Sequence, residues 1–331
     1  MELIQEFINT AKRKPKKIVY PESTDRRILL AATRVKQLGI AEPILIGSHQ
    51  KIGELARECR AEIDKIQIIS PQENEDKMEM YSEEYATARD VKISLAKRMV
   101  KKPISFAGMM VKTGDADGMV AGVATATASV IQFASLTIGF QKGMSTPSSF
   151  FIMVIPEFLG EKDRILIFAD CAVNVSPDSR QLAEIGIASG INAKSLLGID
   201  PKIAFLSFAT KGSASHEHVD KVRQAVKIAM ELKPEFVIDG ELQADAAIVP
   251  QVAQKKVKQS EVAGSANVLI FPDLDAGNIS YKLVQYFAKA KAYGPILQGF
   301  ARPVNDMSRG ATVDDLIGVT AITVIQANNL K

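Results

Sequence analysis

Gly299-Phe300-Ala301-Arg302-Pro303-Val304-Asn305-Asp306-Met307-Ser308-Arg309-Gly310-Ala311-Thr312-Val313-Asp314-Asp315 is a polar stretch set between two apolar runs. Upstream, Gly294-Pro295-Ile296-Leu297-Gln298 reads as a short buried strand. Downstream, Val313, Leu316, Ile317, Thr320, Ala321, Val324 and Ile325 recur at helical spacing. Ser308-Arg309-Gly310 is therefore expected on a loop that runs from a strand into a helix, where ligands bind in an open α/β sheet. Thr312 suits the N-cap of that helix, and Asp315 falls at N3, a carboxylate variant of the capping box. One reading leaves Asp315 as a cap alone. The other joins three groups: Ser308 as a donor to an oxyanion, Arg309 as a planar cation suited to phosphate oxygens, and Asp315 as a proton acceptor.

The rest of the chain repeats the same grammar. A helix over residues 2–13 ends in Lys12-Arg13-Lys14-Pro15, cations that oppose the helix dipole before a stop. Ile18-Val19-Tyr20-Pro21 reads as a strand, 28–38 as a helix, 41–47 as a strand, 51–60 as a helix and 66–69 as a strand; 75–98 is mostly helical and charged. Strand, polar loop, helix, strand is the pattern of a parallel sheet. Asp117–Gly122 is a strand that opens onto Val123-Ala124-Thr125-Ala126-Thr127-Ala128-Ser129, small and hydroxyl residues entering a helix, where free N–H groups can meet an anion. The loop 139–149 suits a domain crossing. Beyond it, strands at 150–155, 164–170, 202–208, 236–241 and 268–278 alternate with helices at 179–197, 219–232 and 279–293. Several of these strands end in hydroxyl, amide, carboxylate or Lys groups.

At 331 residues the chain suffices for two domains. A net charge of +3 argues against a nucleic-acid protein but allows anionic small substrates. No apolar run reaches the roughly 18 residues of a membrane span, and the start is not a signal peptide. Two unclustered cysteines, Cys59 and Cys171, fit a reducing cytoplasm. His216-Glu217-His218 reads as solvated surface, and no spacing suggests a metal. The phosphate-loop, dinucleotide, nucleophile-elbow and zincin signatures are all missing.

Phe168-Ala169-Asp170-Cys171-Ala172-Val173-Asn174, Ser207–Ala214, Ile238–Ala246, Asn267–Asn278 and the opening stretch together resemble the phosphate acetyltransferase family, within the phosphate acetyl/butyryl transferases. The resemblance spans nearly the whole chain and is densest after residue 145. It implies two doubly wound α/β domains similar to the isocitrate/isopropylmalate dehydrogenase-like fold, residues 1–141 plus 301–331 and residues 142–300, with the active site in the cleft between them. It also implies a cytoplasmic homodimer that moves an acetyl group between acetyl phosphate and coenzyme A, the latter as a substrate. No other cofactor, metal, nucleic acid or membrane is expected. Asp315 matches the family's base, Arg309 the arginine that holds phosphate or the acyl oxygen, and Ser308 the residue that stabilises charge on the carbonyl oxygen. An ordinary Asp, with a pKa near ~3.9, is a weak base, so burial is expected to raise that of Asp315. Thr127, Ser129, Gln132, Lys211, Tyr286 and Asn305 fall at substrate-binding positions, and Cys171 at a packing position.

Two positions depart from the pattern. Where the family typically reads Ser-Thr-Ala-Asp-Val-x-Arg, this chain has Ala126-Thr127-Ala128-Ser129-Val130-Ile131-Gln132; where it reads Tyr-Lys-Leu-Val-Gln-Arg, this chain ends in Tyr286. Each missing guanidinium removes charge-assisted bonds worth ~1.5–3 kcal/mol apiece. Lys112, Lys211 or Arg302 could substitute, the acyl group could be bulkier (propionyl or butyryl), or the chain could be a coenzyme A-binding relative without turnover. A decarboxylating dehydrogenase would need Asp239, Asp245, Asp273 and Asp275 as metal ligands; strand-end capping and loop hydrogen bonding explain them more simply.

Overall fold

The computed structural model describes residues 3–233 and 235–330. Glu2, the first residue of the expected N-terminal helix, lies outside them. The chain divides into two compact units, Met1–Lys142 with Phe300–Lys331, and Gly143–Gly299.

The first unit contains α1 (Leu3–Arg13), β1 (Lys17–Tyr20), α2 (Arg26–Gln37), β2 (Glu42–Ile46), α3 (His49–Cys59), β3 (Gln67–Ile69), α4 (Glu75–Arg89), α5 (Ile93–Val100), α6 (Pro103–Thr113), β4 (Gly118–Ala121), α7 (Thr127–Thr137), β11 (Val304–Asp306) and α13 (Val313–Asn328). Its five strands pair in parallel in the order β11-β4-β1-β2-β3. The chain starts at the middle strand, runs out to one edge and returns to build the other. The strand order therefore reverses between β1 and β4, a doubly wound arrangement. Asp25 starts α2 by accepting from the Arg27 backbone N–H at 2.8 Å. The charged stretch 75–98 is two helices, because Asp90 ends α4 in the left-handed conformation (φ 50°). The apolar helix α6 begins at Pro103, which needs no helical N–H. Helix α13 is apolar on nearly all sides and packs on α1, α2 and β4. A deep polar link joins the Thr320 and Tyr20 hydroxyls at 2.8 Å, both fully buried.

The second unit contains β5 (Ser148–Phe158), β6 (Glu161–Ala169), α8 (Ser179–Leu197), β7 (Lys202–Leu206), α9 (Glu217–Leu232), β8 (Val237–Leu242), α10 (Ala244–Ile248), α11 (Pro250–Lys256), β9 (Val268–Ile270), α12 (Leu274–Phe287) and β10 (Lys291–Gln298). The strand order is β10-β5-β6-β9-β7-β8. Strands β6, β9, β7 and β8 run parallel, and β5 is antiparallel to both neighbours. The β5–β6 connection is a two-residue turn, Leu159 and Gly160, both at positive φ (52° and 84°), the geometry that fits strand twist in a tight hairpin.

Two expectations are corrected here. The helix placed at 279–293 runs from Leu274 to Phe287, because Asp273 caps it by accepting from the Ala276 N–H, and 291–293 belongs to strand β10. The strand that feeds the Ser308 loop is β11, in the first unit, and not 294–298, which lies in the second. The strand–loop–helix passage itself stands.

Candidate active site

Three loops of the first unit leave the carboxyl ends of β1, β4 and β11. Glu22, after β1, reaches the loop after β4: its Oε2 accepts from the N–H groups of Gly122 (2.8 Å) and Val123 (2.9 Å), and its Oε1 from Ala124 (3.0 Å). The small-residue turn thus does bind an anion, and the anion is the protein's own carboxylate. Arg27 ties the three loops together. Its Nε and Nη2 form a fork on Asp25 (3.0 and 2.8 Å), Nη2 also donates to Val123 O (3.0 Å), and Nη1 donates to Arg309 O (2.6 Å) and Ala311 O (3.1 Å). The hydrogen bond from Arg27 holds the Asp25 carboxyl below its ordinary range, against the effect of partial burial.

Ser308 and Arg309 stand exposed on the loop after β11, which a turn closes through Ala311 N–H to Ser308 O (2.9 Å). Thr312 and Asp315 form the full capping box. The Asp315 N–H donates to Thr312 Oγ1 (3.2 Å), and Asp315 Oδ2 accepts from the Thr312 N–H (2.9 Å) and hydroxyl (2.8 Å). Oδ1 has no partner among the described residues. Asp315 is exposed, so the burial expected of it is not built into this unit.

Asp306, the last residue of β11, is 2% exposed. Its Oδ2 accepts from Thr127 Oγ1, the first residue of α7, at 2.5 Å. Its Oδ1 is buried without a partner among the described residues. Burial pushes the Asp306 carboxyl up to about 6; the Thr127 hydrogen bond opposes the rise, and the nearby Glu22 charge adds to it. Reading the sequence missed Asp306, Glu22 and Arg27. The only local signal was a carboxylate closing a short strand two residues before Ser308.

The remaining residues divide. Thr127 and Ser129 are half-buried at the start of α7, whose N-cap, Ala126, has no capping side chain, and Gln132 is exposed one turn on. Asn305 is fully buried and donates to Thr323 Oγ1 (2.9 Å) and Gln326 Oε1 (2.8 Å), so its amide is committed to holding β11 on α13 rather than to a ligand. Lys211 and Tyr286 belong to the second unit. Lys211 pairs with Asp239 and donates to Gly240 O (3.1 Å), so its charge is already matched. Tyr286 is 78% exposed and shares one face of α12 with Ile279, Leu283 and Phe287, all exposed.

Elsewhere in the second unit the sequence motifs are internal scaffolding. Asp170 accepts from the Ser149 hydroxyl (2.5 Å), the N–H groups of Ala172 (3.0 Å) and Asn174 (2.9 Å) and the Asn174 amide (2.6 Å), fixing the turn after β6. Cys171 is fully buried, and burial pushes its thiol up, with the Asp170 charge adding to that, so it is packed rather than poised. Gly277 lets α12 lie against that turn, since a Cβ there would fall 2.3 Å from Asp170 O. Asp239 holds Lys211 and Ser260, Asp245 pairs with Lys256, and Asp273 caps α12, which accounts for three of the four aspartates without a metal. His216 is the N-cap of α9, accepting from the His218 N–H (3.1 Å).

The family described as phosphate acetyl/butaryl transferase matches residues 2–324. The chain belongs to that family, a family of acyltransferases. It is 48% identical to the phosphate acetyltransferase of Thermoanaerobacterium thermosaccharolyticum over 330 residues, 99% of this chain and 100% of that one. It is 46% identical to that of Clostridium acetobutylicum, over 99% of both. A solved phosphotransacetylase from Streptococcus pyogenes superposes with a TM-score of 0.91 at 39% identity, over 98% of each chain.

Proposed function

We propose that the chain transfers an acetyl group reversibly between acetyl phosphate and coenzyme A. What carries the reading is a coincidence: whole-length likeness to phosphate acetyltransferases in a chain whose Ser308, Arg309 and Asp315 share one ordered loop and helix start. In the forward direction the thiol proton of coenzyme A passes to Asp315 and the sulfur attacks the acyl carbon. A C–S bond forms, the C–O bond to phosphate breaks, and the departing phosphate takes the proton back. Ser308 donates to the carbonyl oxygen as charge develops there, and Arg309 holds the phosphoryl oxygens. An acyl phosphate is already activated, so this path needs neither a metal nor another cofactor.

Thr127 and Ser129, at an uncapped helix start, offer further donors to the phosphoryl group. We assign the protein to the cytoplasm on its two unpaired thiols; no helix among the described residues is long and apolar enough to cross a membrane. The dimer is also part of the proposal, with the exposed face of α12 as the contact between copies.

The test is thiol loss from coenzyme A with acetyl, propionyl and butyryl phosphate. Turnover fastest with acetyl phosphate and reduced at least ~100-fold in Asp315→Asn supports the proposal. Preference for a longer chain changes the substrate and keeps the class; coenzyme A binding without turnover refutes the reading.

A further inference from the structure

The Thr127–Asp306 pair joins the start of α7 to the end of β11, and its two oxygens are unequally treated. Oδ2 has the Thr127 hydroxyl at 2.5 Å; Oδ1 has no partner among the described residues. Gly122 closes that side: a Cβ there would lie 2.2 Å from Oδ1 and 2.5 Å from Met307 O. A buried carboxylate with one bare oxygen is poorly solvated, so a proton on it is favoured. Of the elements around it, β4 and α7 carry no ionisable side chain. The loop after β1 and the start of α2 supply Glu22, Asp25, Arg26 and Arg27, and the loop into α13 supplies Arg309, Asp314 and Asp315. Among these it is Glu22 whose charge acts on Asp306, and it too favours the proton.

The hydroxyl has one proton to give. With Asp306 ionised, Thr127 must donate inward and can offer a ligand only lone pairs. With Asp306 protonated on Oδ2, the acid donates to Oγ1 and the Thr127 proton is free to turn outward. We propose that Asp306 is a positioning residue that sets the hydrogen-bonding polarity of Thr127, and that a phosphoryl group binds the form in which Asp306 is protonated. The inference rests on the reading of α7 as part of a phosphoryl site. In molecules where Asp306 is ionised, binding then draws a proton from solvent, which stays on Asp306 Oδ2, and no covalent bond changes.

The experiment compares wild type with Asp306→Asn, whose amide N–H donates to Thr127 at every pH. The ratio of their KM values for acetyl phosphate cancels the substrate's own ionisation. The ratio should be near one at about pH 5 and rise to about tenfold by about pH 8, the worth of one charge-assisted hydrogen bond. In a Thr127→Val background the ratio should not change with pH. A pH-independent ratio in the Thr127 protein overturns the proposal.

Calorimetry of inorganic phosphate binding in two buffers of different ionisation enthalpy gives a readout without turnover. Wild type should take up more protons than Asp306→Asn. If acetyl phosphate is not turned over, the functional reading falls, and this measurement alone decides the inference. Equal proton uptake, or no phosphate binding, overturns it.

Discussion

Replacing Arg27 with Met should unfasten the Ser308 loop without altering any residue proposed to touch substrate. The guanidinium donates to three carbonyls: Arg309 O at 2.6 Å, Ala311 O at 3.1 Å and Val123 O at 3.0 Å. A hydrogen bond involving a charged group is typically worth ~1.5–3 kcal/mol. Arg309 is exposed and water can replace that bond, whereas Val123 and Ala311 are 2% and 6% exposed. Two bonds at the low end of the range give about 3 kcal/mol, divided between global stability and the order of the loop. If half or more of it holds the loop, misplacement of Ser308 and Arg309 should lower kcat by about 10- to 100-fold. The assay is steady-state thiol loss from coenzyme A, with a urea transition on the same samples. Arg27→Lys should fall between, because an ammonium cannot span Asp25 and two loops with one fork. Arg34→Met is the contrast. Arg34 pairs with Asp314 at 2.7 Å on the same helix start, but the two side chains are 51% and 81% exposed, so its loss should matter little. A folded Arg27→Met protein with kcat within about twofold of wild type would refute the clamp.

Three further outcomes can be checked. Gly122→Ala puts a Cβ 2.2 Å from Asp306 Oδ1 and 2.6 Å from Met307 N at a φ of +106°, so it should lower stability by about 3 kcal/mol or more, and an unshifted urea midpoint counts against the packing. The Asp306 carboxyl titrates near 6 in the folded chain against 3.8 ordinarily, so the folded state binds the extra proton between those values and wild-type stability falls as pH rises through that window, by up to about 3 kcal/mol. Asp306→Asn does not titrate, so its Tm should gain on wild type from about pH 4 to about pH 6, and a constant difference would contradict the assignment. Tyr286→Ser with Phe287→Ser should convert a dimer to monomers by sedimentation, since these side chains are 78% and 83% exposed; a wild-type chain that sediments as a monomer removes the interface.

What was legible in the sequence was what is local. Thr312 and Asp315 are three residues apart, so their capping box follows from spacing and geometry alone. The parallel strands of the first unit show as apolar runs because both of their faces are covered. What lay hidden depends on distant partners. Glu22 meets Gly122, and Arg27 meets Arg309, across one hundred residues or more, and nothing near either residue marks it. Helix α6 is buried on so many sides that it shows no amphipathic period. The antiparallel strand β5 reads like its parallel neighbours, because the left-handed Leu159 before Gly160, which turns the chain back, has no sequence signature of its own. Ile279, Leu283, Tyr286 and Phe287 recur at helical spacing inside the helix expected at 279–293, but spacing alone does not tell an exposed apolar face from one that packs on the core.

The placement of Glu22 bears on where a ligand can sit in the first unit. The reversal of strand order between β1 and β4 is the usual seat for an anion in such a sheet. Here three N–H groups of that crevice already close on one side chain. A phosphoryl group could enter only by displacing Glu22, which would leave a carboxylate facing the newcomer's charge. In the proposed reading the seat lies one strand along, at the loops after β4 and β11. There Thr127, Ser308 and Arg309 would supply donors, and Asp306 would lose its charge when an anion arrives. Glu22 then has two effects on that neighbouring seat. It holds the turn before α7 in one conformation, and its charge favours the proton on Asp306. In Glu22→Gln the carboxamide oxygen could still accept from Gly122 and Val123, the bond from Ala124 would be lost because an NH2 cannot accept, and the electrostatic push would be gone. The pH at which acetyl phosphate binding changes should therefore fall in that variant, while the position of Thr127 is kept.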